Sequence, residues 1–172
     1  MIETAPRFGD FVHSLTRKDL AIHSTPQHQK ASDSIRRSEF MNLIQLIYAS
    51  RPFGFDNSTL NAILIEARHS NPRHEITGSL ICRADVYLQL LEGPEEAVDS
   101  TFARIARDDR HLEIKVLYRM PAAKRLFPDW AMRDDPPRSW MWTQREVADG
   151  AISRASPQDI LRIFERLVAE PD

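Results

Sequence analysis

The 172-residue sequence has a single cysteine, Cys82, so no intrachain disulfide is possible and a reducing, cytoplasmic setting fits. It has only five glycines and no Gly-rich phosphate loop, which removes the commonest nucleotide-binding motifs. No Cys/His cluster has metal-ligand spacing. No apolar run approaches the roughly 20 residues of a membrane span, and the first 30 residues lack the apolar core of a secretory signal. The formal net charge is -2, too near zero to argue for nucleic acid or an anionic membrane as a partner. What is present is an ordinary globular composition, 42% apolar and 28% charged, in a chain long enough for one domain with its own core plus extensions.

Residues 1–40 are polar and irregular, and "HSTPQHQKASDSIRRSE" reads as solvated or disordered. "MNLIQLIYAS" then begins abruptly at Met41 as a strand. Met41 therefore reads as a true or alternative start with an upstream extension before it; a functional N-terminal arm is the competing reading. "GFDNSTLNAILIEARHS" has a helical pattern, with Asp56 or Ser58 as cap and Leu60, Ile63, Leu64 and Ala67 on one stripe. "ITGSLICR" and "VYLQLLEG" form a hairpin turning at Ala84-Asp85. Pro94 takes the first position of a second helix, "PEEAVDSTFARIARD", whose stripe is Val98, Phe102, Ile105 and Ala106 and whose charges read as a solvated face. "LEIKVLYRM" gives a fourth strand, and the segment around "FPDWAM" a short fifth.

The order β-α-β-β-α-β-β predicts an α+β, ferredoxin-like sandwich, with two helices on one face of an antiparallel-rich sheet. In the tail, "SWMWTQREV" and "SPQDILRIFERLVAE" read as helices. Ser156 caps the second, Pro157 opens it, and Ile160, Ile163, Phe164 and Leu167 form its stripe. The expected division is an extension at 1–40, a folded domain at 41–133 and a C-terminal helical segment at 134–172.

One residue interrupts the apolar run "DVYLQLLEGP". Gln89 stands between Leu88 and Leu90, and a buried primary amide without partners costs about 1–3 kcal/mol. Alternation puts Tyr87, Gln89 and Leu91 on one face of the third strand, and Ile44, Leu46 and Tyr48 on one face of the first. If those strands are neighbours, the Tyr48 phenol and the Gln89 amide meet beneath the helices. They could satisfy each other in an ordinary core. One phenol uses at most two of the amide's groups, however, and a flat ligand in a cleft between the helices would use the rest.

The segments "LIQLIYAS", "ARHSNPRHEITGSLI", "VYLQLLEGP", "RIARDDRHLEI" and "KRLFPDWAM" carry a recognisable pattern. In their order and spacing, residues 41–133 resemble the BLUF family, blue-light sensors that use a flavin. The resemblance implies a noncovalent flavin, FAD or FMN, between the two helices. It implies Tyr48 as electron and proton donor and Gln89 as the switching amide between that tyrosine and the flavin. Asn71 would hold the pyrimidine edge, Arg110 and His111 would lie beside the polar edge, and Ile63 and Ile105 would sandwich the ring. Trp130 and Met132 would belong to the segment tied to signal output. Taken alone, Asn71 before Pro72 reads as a turn residue, Arg110 and His111 as cations ending a helix, Trp130 as core, and Cys82 as a small buried hydrophobe.

Three departures from the family pattern stand out. Ser70-Asn71 replaces two adjacent asparagines, implying a weaker or water-replaced contact. Tyr87 replaces a common phenylalanine and adds a second oxidisable phenol. Glu75 stands before "ITG" where glycine is frequent. The resemblance further implies a short, stand-alone photosensory protein without turnover, since about forty residues after the sensor are too few for a cyclase or phosphodiesterase domain. Such a protein would act on a downstream effector protein, with a homo-oligomer expected. Its C-terminal helices would pack on the free sheet face, either sensing the strand with Trp130 and Met132 or only covering apolar surface. Two other classes compete: a flavin-dependent redox enzyme, for which no nicotinamide site or substrate acid or base is evident, and an interaction module that has lost its flavin, against which Tyr48, Gln89 and Asn71 stand intact.

Overall fold

A computed structural model describes residues 43–54 and 56–170. The expectations for residues 1–40 and for a start at Met41 lie outside the described residues. Strand β1 (Leu43–Pro52) is followed by helix α1 (Asn57–Ser70) and a 3-10 turn (Asn71–His74). The hairpin β2 (Thr77–Arg83) and β3 (Val86–Pro94) leads into α2 (Glu95–Ile105), β4 (His111–Pro121) and β5 (Arg133–Asp135). Three helices close the described chain: α3 (Gln144–Ala148), α4 (Ala151–Arg154) and α5 (Pro157–Ala169). The sheet order is β4-β1-β3-β2-β5, antiparallel throughout except for the parallel β2–β5 pair. This is the expected ferredoxin-like α+β arrangement.

Both faces of the sheet are covered, which explains why β1 and β3 read as near-continuous apolar runs. On one face Leu46, Tyr48, Leu80, Tyr87 and Leu91 pack with Ile63, Leu64 and Val98 from α1 and α2. On the other, Ile47, Ile81, Leu88 and Leu90 pack with Phe127 and with Ile160, Phe164 and Leu167 of α5. The C-terminal helices thus occupy the face that α1 and α2 leave free. Asp56 caps α1 by accepting from the Thr59 N–H at 2.7 Å. Ser156 caps α5 in a reciprocal box with Asp159, and Pro157 opens that helix.

Four local expectations need correction. "FPDWAM" is a loop, and the fifth strand lies just beyond it at Arg133–Asp135. The backbone N–H groups of Leu126 and Phe127 go to the buried Glu92 carboxylate at 2.6 and 2.9 Å rather than to a ladder, and Pro128 has none to give. Of "SWMWTQREV", only Gln144 onward is helical, because the Thr143–Glu146 capping box fixes the start there. Pro94 is the N-cap of α2 in extended backbone and Glu95 its first helical residue. That helix ends at Ile105, which leaves Ala106 off the stripe and exposed.

Candidate functional site

Tyr48 and Gln89 are direct partners in the β1–β3 ladder, and both are buried. The phenol O–H donates to Gln89 Oε1. Burial pushes the Tyr48 phenol well above its ordinary pKa, with the negative charge of Asp108 adding to the rise, so the hydroxyl stays protonated. On its other side the amide is poorly matched. Its Nε2 donates to Met132 Sδ at 3.5 Å, and a thioether is a weak acceptor.

Gln89 also lines a cleft between α1 and α2 with about 540 Å³ of empty space, part of it open to solvent. Ile63 on α1 and Ile105 on α2 line the same cleft, one from each helix. Asn71, at the start of the 3-10 turn, is buried, and its Nδ2 donates to the Ala131 carbonyl at 2.7 Å. Among the described residues no donor reaches Asn71 Oδ1. Arg110 sits in the turn before β4, its Nε 2.9 Å from Asp108 Oδ1 and its Nη2 2.7 Å from Glu66 across the cleft. The hydrogen bonds it donates to Asp108, and then to Glu66, hold that guanidinium charged beyond its usual range. His111 opens β4 rather than ending a helix, and α2 has stopped before Arg110, so the helix-end reading of both is corrected. Burial pushes the His111 pKa down, and its Nδ1 lies 2.9 Å from Ser50 Oγ.

The structure therefore gathers Ile63, Asn71, Gln89, Ile105, Arg110 and His111 around one cleft, with Tyr48 behind the amide and Met132 against it. Trp130 goes elsewhere. It is 51% exposed, with the Arg133 guanidinium 6.0 Å from its ring, whereas Met132 is 1% exposed. The expectation of Trp130 as core is thus corrected. Glu66, Thr101, Arg104 and Asp108 also line the cleft and were not singled out from sequence. Arg104 reaches across its mouth to Ser70 Oγ at 3.2 Å, so the charges of α2 are not all a solvated face. The one signal for Asp108 was its place two residues before Arg110 in "DDRH".

An isoleucine from each helix and two carboxamides line one cleft, and such a lining suits a flat aromatic ring that carries alternating carbonyl and N–H groups on one edge. An isoalloxazine has that shape and that edge, so the residues fit a flavin.

The comparisons with known proteins agree. The model of the BLUF family, "Sensors of blue-light using FAD", matches residues 43–133. That is more than half of the chain, and this protein belongs to that family of flavin-using blue-light sensors. In sequence it is 31% identical over 106 residues to the photoactivated adenylate cyclase subunit beta of Euglena gracilis, covering 59% of this chain and 12% of that protein. The chain thus spans about an eighth of the length of the curated relatives it matches. Among solved structures, BlrB, a BLUF protein in its dark state, gives a TM-score of 0.62 at 29% identity, covering 76% of this chain and 98% of that one. BlsA in its ground state gives 0.65 at 25% identity, covering 76% and 90%. Among the described residues no helix is long and apolar enough to cross a membrane.

Proposed function

We propose that this protein is a blue-light photoreceptor that holds a noncovalent flavin, FAD or FMN, between α1 and α2 and signals to a partner protein by resetting the Gln89 amide. The observation that carries the reading is the alignment of three groups: a buried phenol, a carboxamide that accepts its proton, and a cleft on which that carboxamide opens. Ile63 and Ile105 would sandwich the ring. Asn71 would accept from its pyrimidine edge through Oδ1, and Arg110 and His111 would lie beside its polar rim.

A bound flavin supplies, on absorbing blue light, a strong one-electron oxidant beside Gln89. Tyr48 would give up the electron to it and regain it when the cycle closes. An oxidised phenol is very acidic, so its proton leaves along the hydrogen bond to Gln89 Oε1. Gln89 would take that proton at Oε1 and release one from Nε2 into the cleft, because an amide both accepts and donates, and a proton would return to Tyr48 with the electron. Once charge had returned to Tyr48, the amide would be left rotated or as its imidic tautomer, and either form would present a donor to the cleft. The weak contact of Nε2 with Met132 would make the resting arrangement easy to leave, as a switch between two states within a few kcal/mol requires. Met132 loses its contact with the amide and carries the change into β5, with Trp130 on the same segment. Leucine at position 89 would pack well and do none of this.

On this reading residues 41–133 are the sensor and 134–172 the output segment, whose helices on the far sheet face meet the effector. We place the photoreceptor in the cytoplasm, as a homo-oligomer. Nothing is turned over, in contrast to a flavin redox enzyme. Absorbance of the purified protein tests the proposal. A flavin spectrum that moves to longer wavelength under blue light and recovers in the dark is expected; a protein that takes up no flavin would overturn it. Pull-down in darkness and in light identifies the partner.

A further inference from the structure

The loop before β5 is pinned at three successive peptides. The Trp130 carbonyl accepts from Gly78 N–H at 3.0 Å, the Ala131 carbonyl from Asn71 Nδ2 at 2.7 Å, and the Met132 carbonyl from Arg68 Nε at 3.0 Å. Two of the three donors are side chains at the C-terminal end of α1 and the turn after it. Asn71 belongs to the cleft. Arg68 does not line it. Arg68 also acts on Asp134, inside β5: burial pushes that carboxyl up, and the positive charge of Arg68 offsets part of the rise. One side chain of α1 thus reaches the residue before β5 and a residue within it.

The strand needs such a hold. β5 is three residues long and, among the described residues, lies at the edge of the sheet and pairs only with β2. Short edge elements with few ladder bonds open locally well before the rest of a domain. The sulfur of Met132 cannot anchor the segment at Gln89, because the contact at 3.5 Å involves a weak acceptor. A hydrogen bond from a guanidinium is about twice as strong as a neutral one.

We propose that Arg68 is a positioning residue: it fixes the Met132 peptide against α1, and so holds β5 where the Met132 sulfur meets Gln89. Its functional consequence rests on the switching role proposed for Gln89. The structural part stands without it.

The experiment compares the full chain with its Arg68→Met and Arg68→Lys variants. Hydrogen exchange is read first on peptides covering residues 131–135, in the protein as purified. Arg68→Met should raise exchange there about tenfold, the value of one charge-assisted hydrogen bond, with β1 and β3 unchanged. Arg68→Lys keeps the charge that faces Asp134 and should give a smaller rise. Unchanged exchange over 131–135, or an equal rise over the whole domain, would overturn the proposal. Dark recovery is read second. Arg68→Met should keep its flavin and its dark band but recover several-fold faster or slower than the parent; identical recovery would remove the functional half. A parent that shows no light response would count against the proposed photoreceptor function, while the exchange data would still decide the role of Arg68.

Discussion

Tyr48 and Gln89 sit opposite each other on adjacent strands, and the phenol's hydrogen bond to the amide oxygen leaves the amide nitrogen pointed at a sulfur atom. Only one end of the carboxamide is therefore held firmly.

Tyr87 is the second phenol beneath the helices, two residues before Gln89 on the same face, with its ring 5.3 Å from that of His111. Its hydroxyl is buried without a nitrogen or oxygen partner, and burial, then the neighbouring Cys82 thiol, pushes its pKa up to about 12. The hydrogen bond to the Gln89 amide comes from Tyr48, and Tyr87 has no such path for its proton, so Tyr87 should not replace Tyr48. Tyr48→Phe alone should abolish the light-induced shift. Flavin fluorescence should rise further in the double variant with Tyr87→Phe, since electron loss from Tyr87 still quenches. A normal shift in Tyr48→Phe that disappears only in the double variant would reverse this assignment.

Two backbone positions near the site should respond in opposite directions. A Cβ at Gly78 would lie 2.0 Å from the Leu90 carbonyl oxygen of the neighbouring strand. Gly78→Ala should cost about 3 kcal/mol by forcing β2 from β3. Glu75 ends the 3-10 turn at φ 55, a left-handed conformation that glycine adopts without strain. Glu75→Gly should add about 0.5–1 kcal/mol. Denaturant midpoints check both signs.

His111 gives the protein an acid limb. Burial is the main cause of its lowered pKa, helped by Arg110 and opposed by Asp108. The unfolded chain takes up this proton near pH 6.5, before the folded one does. Stability therefore falls as pH drops below about 6.5 and stops falling once the folded value is passed. His111→Gln should flatten that part of the melting-temperature profile. Parallel profiles for parent and variant would contradict the assignment.

The faces of the sheet were legible because alternation is local. Ile44, Leu46 and Tyr48 on one strand and Tyr87, Gln89 and Leu91 on another fix which side chains meet once the strands are adjacent. The caps at Asp56 and Ser156 were legible for the same reason. What was not legible depends on partners far along the chain. β5 has three residues and no pattern of its own; its place comes from pairing with β2. "FPDWAM" looked like a strand, yet its backbone donors are taken by Glu92, more than thirty residues away. Arg104 and Asp108 read as ordinary surface charges until the fold set α2 beside α1. The position of Met132 inside and Trp130 outside follows from packing alone.

The most direct test is a light-minus-dark absorbance spectrum of the flavin-loaded protein and of its Gln89→Leu variant, recorded side by side. The parent should show a reversible displacement of its visible band to longer wavelength. The variant should carry the same flavin and show none. An undiminished displacement with leucine at position 89 would contradict the claim that this amide is the switch.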